Sequence, residues 1–151
     1  MGRYFEELDE GATLESAART VTDEDIRAFM RLTGDDNRVH HDDEFARAAG
    51  FEGHIAHGAL VVALATGLAW QTGVLADTTI AFRSIDDWKF TAPVYPGDQI
   101  RLHSRVGERR PLPRLGAGLV RFDLEIRNQR DQVVSTGSLR MLMRMRPNPQ
   151  A

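Results

Sequence analysis

One segment constrains the fold of this chain more than any other, the run GALVVALATGLAWQ from Gly58 to Gln71. It carries no charged residue, so a helix built from it has no polar face to turn toward water. We expect such a helix to be buried all round, which in a chain of 151 residues requires a sheet that wraps around it. Its densest apolar part, from Ala59 to Trp70, is about 12 residues long, too short for the roughly 20 residues that span a bilayer. The segment therefore predicts a central buried helix and no membrane span.

The half of the chain after Thr78 supplies the sheet. Apolar and polar residues alternate from Ile100 to Val106, from Val120 to Arg127 and from Leu139 to Met145, which is the pattern of half-buried strands. The stretch from Arg109 to Gly118 is rich in proline and glycine and predicts a long, mobile hairpin loop. One long helix followed by an antiparallel meander predicts an α+β protein, and the best candidate is the hot-dog fold, a curved antiparallel sheet around a central helix.

Two shorter helices are predicted before the central one. Thr22 can cap the first of them, because Asp25 stands three residues later in a variant of the capping box, and Gly34 is suited to end it. The second is predicted from Asp43 to Ala49, stopped at Gly50. The first half of the chain is therefore helical and loop-rich.

Composition excludes several classes of function. The chain has no cysteine, which rules out disulfides, thiolate metal sites and a cysteine nucleophile. Its formal net charge of −3 argues against non-specific nucleic-acid binding, which needs a basic face. Length and composition predict one soluble domain over residues 1–151, and the polar, acidic amino terminus predicts a cytoplasmic protein without a secretory signal.

The loops between the predicted helices carry the residues suited to chemistry. Asp35 and His40 lie five residues apart on one loop, where their side chains can converge on a small molecule. A carboxylate and an imidazole that share one water can each take or give a proton, as addition of water across a double bond requires. Gly58 opens the buried helix, whose free N–H groups and positive dipole end suit charge developing on a thioester oxygen.

The run TGDDNRVHHDDEFARAAGFEGHIAHGAL resembles the signature of the MaoC-like dehydratases, the family of (R)-specific enoyl-CoA hydratases. In that family an Asp-x-Asn-x-x-His segment provides the catalytic pair, and a His-Gly pair opens the central helix of a hot-dog fold. The matching residues here are Asp35, Asn37, His40, His57 and Gly58. The resemblance implies catalytic roles for Asp35, His40 and Gly58. It places Asn37 and His57 in the substrate-binding set, although Asn37 could instead stiffen the loop and His57 orient the helix start.

The sequence departs from the family pattern at two positions. Arg38 stands where proline is usual, which could loosen the loop or add a contact to an acidic group of the substrate. Ala63 stands where a small hydroxyl residue is often found within the central helix. We assign Ala63 to the substrate-binding set, as part of a small-residue face that borders the acyl pocket.

A metal site is the main competing interpretation of the histidine-rich loops. The run His40-His41-Asp42-Asp43 and the pair His54 and His57 offer ligand atoms. Adjacent residues rarely point at one ion, however, and no established ligand spacing occurs, so we predict no metal and no cofactor. We expect His54 to face solvent or substrate. The two tryptophans, Trp70 and Trp88, are expected in the core.

The leading hypothesis is a hydratase or dehydratase of a 2-enoyl thioester carried by coenzyme A or acyl carrier protein. A hot-dog thioesterase is the second enzymatic hypothesis, but it needs a carboxylate on the central helix, and Gly58–Gln71 has none. A non-catalytic acyl-thioester binding protein is the third, and Arg38 and Ala63 keep it open. The family resemblance also implies a homodimer.

Overall fold

In the computed structural model, which describes residues 2–147, an antiparallel sheet of six strands curves around one long helix. The strands are β1 (Thr13–Glu15), β2 (Arg19–Thr20), β3 (Thr79–Phe90), β4 (Gln99–Leu112), β5 (Ala117–Arg127) and β6 (Val133–Arg144), and the helices are α1 (Asp23–Thr33), α2 (Asp43–Ala48) and α3 (Gly58–Gln71). The sheet order is β1-β4-β5-β6-β3, and β2 also pairs with β4. The predicted hot-dog fold is confirmed.

Helix α1 begins and ends where local chemistry requires. The Thr22 hydroxyl accepts the Asp25 N–H at 3.1 Å, while the Asp25 carboxylate accepts the Thr22 N–H at 2.9 Å. Gly34 ends the helix in the left-handed region, at φ 75°, which costs glycine little. Ile26 anchors the helix in the core with no exposed surface. The predicted start and stop signals of α1 are confirmed.

Strand β5 shows how the sheet meets the central helix. Its alternate residues Val120, Phe122 and Leu124 are buried on the inner face, where they join the core that includes Leu60 and Leu68 of α3. The intervening residues of β5 face outward and are charged. The period-two alternation in the sequence therefore predicted the inner and outer faces correctly.

The sheet covers α3 on one side and leaves the other open. The helix α3 has the bounds predicted from the sequence. Four of its residues are nevertheless exposed, Ala59, Ala63, Gly67 and Trp70, so the expectation of a helix buried all round is wrong. Trp70 is 56% exposed, which also corrects its expected place in the core. Ala59, Ala63 and Gly67 recur every fourth position and form one stripe along the helix, which we call the small-residue stripe. No helix among residues 2–147 is long and apolar enough to cross a membrane.

Strand β3 forms one edge of the sheet and is unusually apolar on its exposed side. Ile80, Phe82, Ile85 and Phe90 are each between 43% and 56% exposed. The register of β3 against β6 shifts at three places, which marks bulges along the edge. An exposed apolar edge strand is an unusual surface for an isolated chain.

The long, mobile hairpin loop expected from Arg109 to Gly118 is wrong. Strand β4 continues to Leu112, Pro111 pairs with Gly118, and only a short 3₁₀ turn, Pro113–Leu115, separates the two strands. On the side of β4 away from β5, strand β1 pairs only with residues 103–105 of β4. Pro111 therefore has no β1 residue beside it to which an N–H would have to donate. Proline at an unpaired strand side leaves the ladder intact.

The amino-terminal segment is fastened across this same hairpin. The Phe5 ring packs directly on Gly118, at a place where any side chain on residue 118 would collide with it. The Arg109 guanidinium donates to the Phe5 carbonyl at 2.6 Å and lies 4.6 Å from the centre of the Phe5 ring. At the other end of the chain the Arg146 N–H donates to the Glu6 carboxylate at 3.1 Å.

Candidate active site

The loop after α1 is shaped by its own short polar side chains. The Asn37 side-chain oxygen accepts the Val39 N–H at 3.2 Å, which begins a 3₁₀ turn over Arg38–His40. The Asp35 carboxylate accepts the Asn37 N–H at 3.4 Å. The side-chain oxygen of Asn37 is thus hydrogen-bonded to the loop backbone.

The fold brings Asp35 and His40 together with His57. One ligand atom from each of the three side chains lies within 4.8 Å of the others. Asp35 is exposed, His40 is partly buried and His57 is 2% exposed. The two residues predicted as the acid–base pair are therefore neighbours in space, and His57 lies beside them.

One backbone carbonyl fixes the orientation of His40. Its Nδ1 lies 2.8 Å from the Ile55 carbonyl oxygen, which can only accept, so in the neutral ring Nδ1 carries the hydrogen. Nε2 is then left with its lone pair. Burial lowers the pKa of His40 below its ordinary value, and this outweighs the Ile55 hydrogen bond, which acts in the other direction. His40 is therefore neutral near pH 7 and can accept a proton at Nε2.

His57 supports both members of the pair. Its Nε2 donates to the Asp35 backbone carbonyl at 3.0 Å, and its ring stacks on His40 with the centroids 3.6 Å apart. Phe29 packs on the same ring, with the centroids 4.9 Å apart. The His57 Nδ1 is buried without a hydrogen-bond partner among residues 2–147. Buried between these neighbours, His57 holds the loop and the His40 ring in place.

The same three side chains could offer ligands to a metal ion. The His40 and His57 rings are stacked face to face, with centroids 3.6 Å apart and an interplanar angle of 26°, so their lone pairs lie in two separate, nearly parallel planes. An ion bound by both rings would have to lie close to both planes, which stacking disfavours. The stacked geometry favours proton transfer at this cluster over metal binding.

Gly58 and His40 line one open groove of about 580 Å³. The other lining residues are mostly apolar: Phe51, Ile55, Ala56, Ala59, Val61, Phe90, Thr91, Ala92, Pro93, Val94 and Val134. The residue before α3, His57, makes no side-chain cap bond, so the first-turn amides of this helix keep their donors free. An apolar groove with a base and free helix amides can receive an acyl chain and a polar head.

Phe90 restricts the space beside Gly58. A Cβ atom on residue 58 would lie 2.8 Å from the Cζ atom of Phe90 and 3.0 Å from both Cε atoms. Glycine is therefore required at this helix start for the ring to approach it closely. Phe90 was not singled out from the sequence, because its contact with Gly58 depends on how β3 ends.

Ala63 does not line this groove. It lies on the exposed small-residue stripe of α3, where its carbonyl accepts the Thr66 hydroxyl at 2.7 Å. Within a single chain, the structure therefore does not bring Ala63 together with Asp35, His40 and Gly58.

Arg38 binds an acidic residue of its own chain. Its Nε and Nη2 lie 3.1 and 2.6 Å from one Asp42 oxygen, and its guanidinium lies 4.7 Å from the centre of the Phe45 ring. The Phe45 N–H and then Arg38 lower the pKa of Asp42, which caps α2. This ion pair ties the 3₁₀ turn to α2 and restrains a position where the family has a proline.

A larger concavity of about 780 Å³ lies on the outer face of the sheet. Its walls carry Arg121 and Asp123, which pair at 2.7 Å, and His103, which lies 3.5 Å from Glu15. Arg121 and Asp123 neutralise each other there. It contains neither the acid–base pair nor a helix start, so we place the site in the smaller groove.

Comparison with known proteins identifies the family of this chain. The model of the MaoC like domain matches residues 6–121. The chain is 35% identical to Protein MaoC of Klebsiella aerogenes over 100 residues, which cover 66% of this chain and 29% of that protein. It is 32% identical to the (R)-specific enoyl-CoA hydratase of Rhodospirillum rubrum over 102 residues, covering 64% of this chain and 65% of that one. The chain thus spans less than two thirds of the length of each of these two relatives.

A solved structure agrees over nearly the whole chain. The monoamine oxidase regulatory protein from Archaeoglobus superposes with a TM-score of 0.88 at 37% sequence identity, covering 97% of both chains. The matched family region contains the Asp35–His40 pair and the start of α3. The chain therefore belongs to the MaoC-like domain family.

Proposed function

We propose that this protein is a hydratase/dehydratase that adds water reversibly to a 2-enoyl thioester and gives a 3-hydroxyacyl thioester. The observation that carries the proposal is the meeting of Asp35 and His40 beside an apolar groove that the start of α3 also lines. A relative of this chain is named as an enoyl-CoA hydratase and another as a 3-hydroxyacyl-thioester dehydratase, which supports the same class of reaction.

The proposed reaction uses the groups as the structure orients them. His40 Nε2 takes a proton from a water held between His40 and Asp35, and the water oxygen bonds to the β-carbon of the double bond. The electron pair of the double bond moves toward the thioester carbonyl, whose oxygen accepts hydrogen bonds from the Gly58 end of α3. The acid–base pair then returns one proton to the α-carbon, so one water is added in all.

Asn37 and His57 serve this reaction through the loop in our proposal. Asn37 shapes the 3₁₀ turn that presents His40, and His57 holds the Asp35 backbone and stacks on the His40 ring. Both residues were predicted to bind substrate, and we now assign them to positioning of the pair.

We further propose coenzyme A or acyl carrier protein as the thioester carrier, no bound cofactor, and one domain over residues 1–151. Such thioesters are intracellular metabolites, so the proposal includes a cytoplasmic location. The thioesterase alternative is weakened because α3, where that reaction would need a carboxylate, carries none. The non-catalytic alternative is weakened because Arg38 is neutralised by Asp42 and leaves the acid–base pair in place.

We propose a homodimer formed through the open side of α3 and strand β3. The small-residue stripe permits close approach of a second helix, and the apolar edge of β3 supplies unpaired backbone and exposed side chains. Ala63 lies in the middle of the small-residue stripe. In the proposed dimer, its role is to let the two helices approach.

Hydration of crotonyl-CoA, followed by loss of the enoyl absorbance, tests the proposed function. Replacement of Asp35 by Asn or of His40 by Gln should lower the rate by at least ~10²-fold, the low end for a positioned acid or base. Their sequence neighbours provide matched controls, since Asp36→Asn and His41→Gln make the same chemical changes on the same loop. Release of free thiol without loss of the double bond would support a thioesterase, and neither signal would support a binding protein.

A further inference from the structure

His54 is held between two carboxylates from different helices. Its Nε2 lies 2.9 Å from an oxygen of Asp23, the first residue of α1. Its Nδ1 lies 2.6 Å from an oxygen of Asp43, the first residue of α2, which also accepts the His54 backbone N–H at 2.9 Å. Ionised carboxylates only accept hydrogen bonds, so a ring that serves both must donate from both nitrogens. The expectation that His54 faces solvent or substrate is therefore wrong.

Two arginines complete the arrangement. The second oxygen of Asp23 binds Arg27 at 2.6 Å, and the second oxygen of Asp43 lies 3.6 Å from Arg47. Positive and negative groups thus alternate from α1 through His54 to α2. We call the central part, Asp23, His54 and Asp43, the histidine clamp.

The ring of His54 faces two carboxylates, which favour its protonated form, and each carboxylate is also paired with an arginine. Burial lowers the pKa of His54, but the hydrogen bonds that the ring donates to Asp43 and Asp23 outweigh burial and raise the pKa above its ordinary value. Around the imidazole, α1 contributes Asp23 and Arg27, and α2 contributes Asp43 and Arg47. On its own loop, the Glu52 N–H donates to the Tyr95 hydroxyl at 3.1 Å, and the Glu52 carbonyl accepts from Arg47 at 3.1 Å.

The residue after the clamp orients the proposed base. The Ile55 N–H donates to the Val39 carbonyl at 3.1 Å, and the Ile55 carbonyl receives the His40 Nδ1 hydrogen at 2.8 Å. His54 therefore fixes the chain one residue before the carbonyl on which the orientation of His40 depends. Loosening of His54 would be transmitted to His40 through a single peptide unit.

We propose that protonated His54 is a positioning residue for His40, and that the histidine clamp holds the Ile55 carbonyl against the His40 ring. The inference rests on the proposed function only for its kinetic consequence. When His54 loses a proton, one ring nitrogen becomes a lone pair that faces a carboxylate, and one side of the clamp opens. Positioning is therefore complete below the pKa of His54, as long as Asp23 and Asp43 stay ionised, and is lost as the pH rises through that pKa.

Kinetics at several pH values test the clamp in the whole protein. In the wild type, kcat should fall on the alkaline side, while KM changes little. His54→Gln, which cannot carry the charge, should lower kcat roughly tenfold at pH 6, since small misplacements of a catalytic group are costly, and should remove the alkaline decline. His54→Arg keeps the charge at all pH values and should hold kcat near the wild-type level without the decline. Equal kcat values and equal pH profiles for all three proteins would overturn the inference.

His103→Gln is the matched control. It removes another partly buried histidine that faces a carboxylate, Glu15 at 3.5 Å, but on the outer face of the sheet. This variant should keep the wild-type kcat and its alkaline decline. The same loss of kcat in His103→Gln and His54→Gln would overturn the inference, because it would show a general effect of removing a histidine.

An NMR measurement separates failure of the clamp from failure of the proposed function. At pH 6 the hydrogen on His40 Nδ1 should exchange slowly with water in the wild type and in His54→Arg, and at least tenfold faster in His54→Gln. If the wild type hydrates no enoyl thioester but shows this difference, the proposed function fails and the clamp stands. Equal exchange in all three proteins overturns the clamp whatever the activity. If His54→Gln does not fold, Asp23→Asn takes its place, because it removes one side of the clamp and leaves the imidazole.

Discussion

Replacement of Gly58 by Ala tests whether the start of α3 takes part in the reaction. The new Cβ would lie 2.8 Å from the Phe90 Cζ atom, whereas carbon atoms in contact are about 3.5 Å apart or more, so the ring must move by roughly 0.7 Å. Phe90 lines the open groove, so its ring can move into that space at little cost. Alanine also favours a helix over glycine by ~0.5–1 kcal/mol. We therefore expect the free energy of unfolding to change by less than about 1 kcal/mol, a Tm shift of at most ~4 °C.

Catalysis should respond far more strongly than stability. The displaced ring and the new methyl group crowd the position where the thioester oxygen meets the α3 amides. Loss of one such donor costs ~10²–10³-fold in kcat, and partial misplacement should cost less. We expect kcat for crotonyl-CoA hydration to fall roughly 10- to 100-fold, which corresponds to about 1.4–2.8 kcal/mol in the barrier.

A double-mutant cycle with Phe90→Ala identifies the cause of the loss. If Gly58→Ala acts by pushing the Phe90 ring into the site, the double variant should recover to within roughly threefold of Phe90→Ala alone, with a coupling energy of ~1–3 kcal/mol. A double variant as slow as Gly58→Ala would mean that the methyl group itself crowds the oxygen. Full activity in Gly58→Ala would refute the placement of the reacting carbonyl beside this helix start.

Three further outcomes are expected. Ala63→Arg buries a charge in the proposed interface and should weaken dimerisation by at least ~10²-fold, so that sedimentation at micromolar concentration shows a monomer; an unchanged dimer would mean that the small-residue stripe is not the interface. The backbone N–H and the imidazole of His54 lower the pKa of Asp43 below its ordinary value of 3.8. Ionised Asp43 therefore stabilises the fold fully above pH 3.8, and this stabilisation is lost as the pH falls through the lowered pKa. The Tm gap between the wild type and Asp43→Asn should therefore be wide at pH 6 and close toward pH 3, and a gap independent of pH would contradict the assignment. Ile26→Ala should cost ~2–5 kcal/mol in urea unfolding because Ile26 is fully buried, and a loss below ~1 kcal/mol would mean that α1 is not anchored in the core.

Local signals in the sequence predicted the elements that depend on local chemistry. Thr22, Asp25 and Gly34 define α1 through bonds within the chain segment itself, and the alternation in β5 reflects one wet and one dry face. The uncharged sequence of α3 predicted the bounds of the helix correctly, but it predicted a fully buried environment, which was wrong. An apolar surface that faces a partner and one that faces the core have the same composition, so the exposure of Trp70 could not be predicted.

The proximity of Asp35 and His40 was predictable, and the residues that support them were not. Asp35 and His40 lie on one loop, whereas His54 meets Asp23 from 31 residues away and Phe90 meets Gly58 from the end of another element. Such pairings depend on how helices and strands pack, which no local pattern records. The hairpin at Pro111 was misjudged for a similar reason, because an unpaired strand side tolerates proline and only the sheet order shows which side that is.

The fastening of Phe5 on the β4–β5 hairpin has a consequence for the kinetics of folding. The Arg109–Phe5 bond joins residues 104 positions apart, and the Arg146–Glu6 bond joins residues 140 apart. Contacts that close loops of this length carry a large entropic cost and form after the sheet that supports them. Interactions absent from the transition state slow unfolding and leave the folding rate unchanged. We therefore expect the amino-terminal segment to govern how long the native protein lasts, and the central helix and sheet to govern how fast it forms.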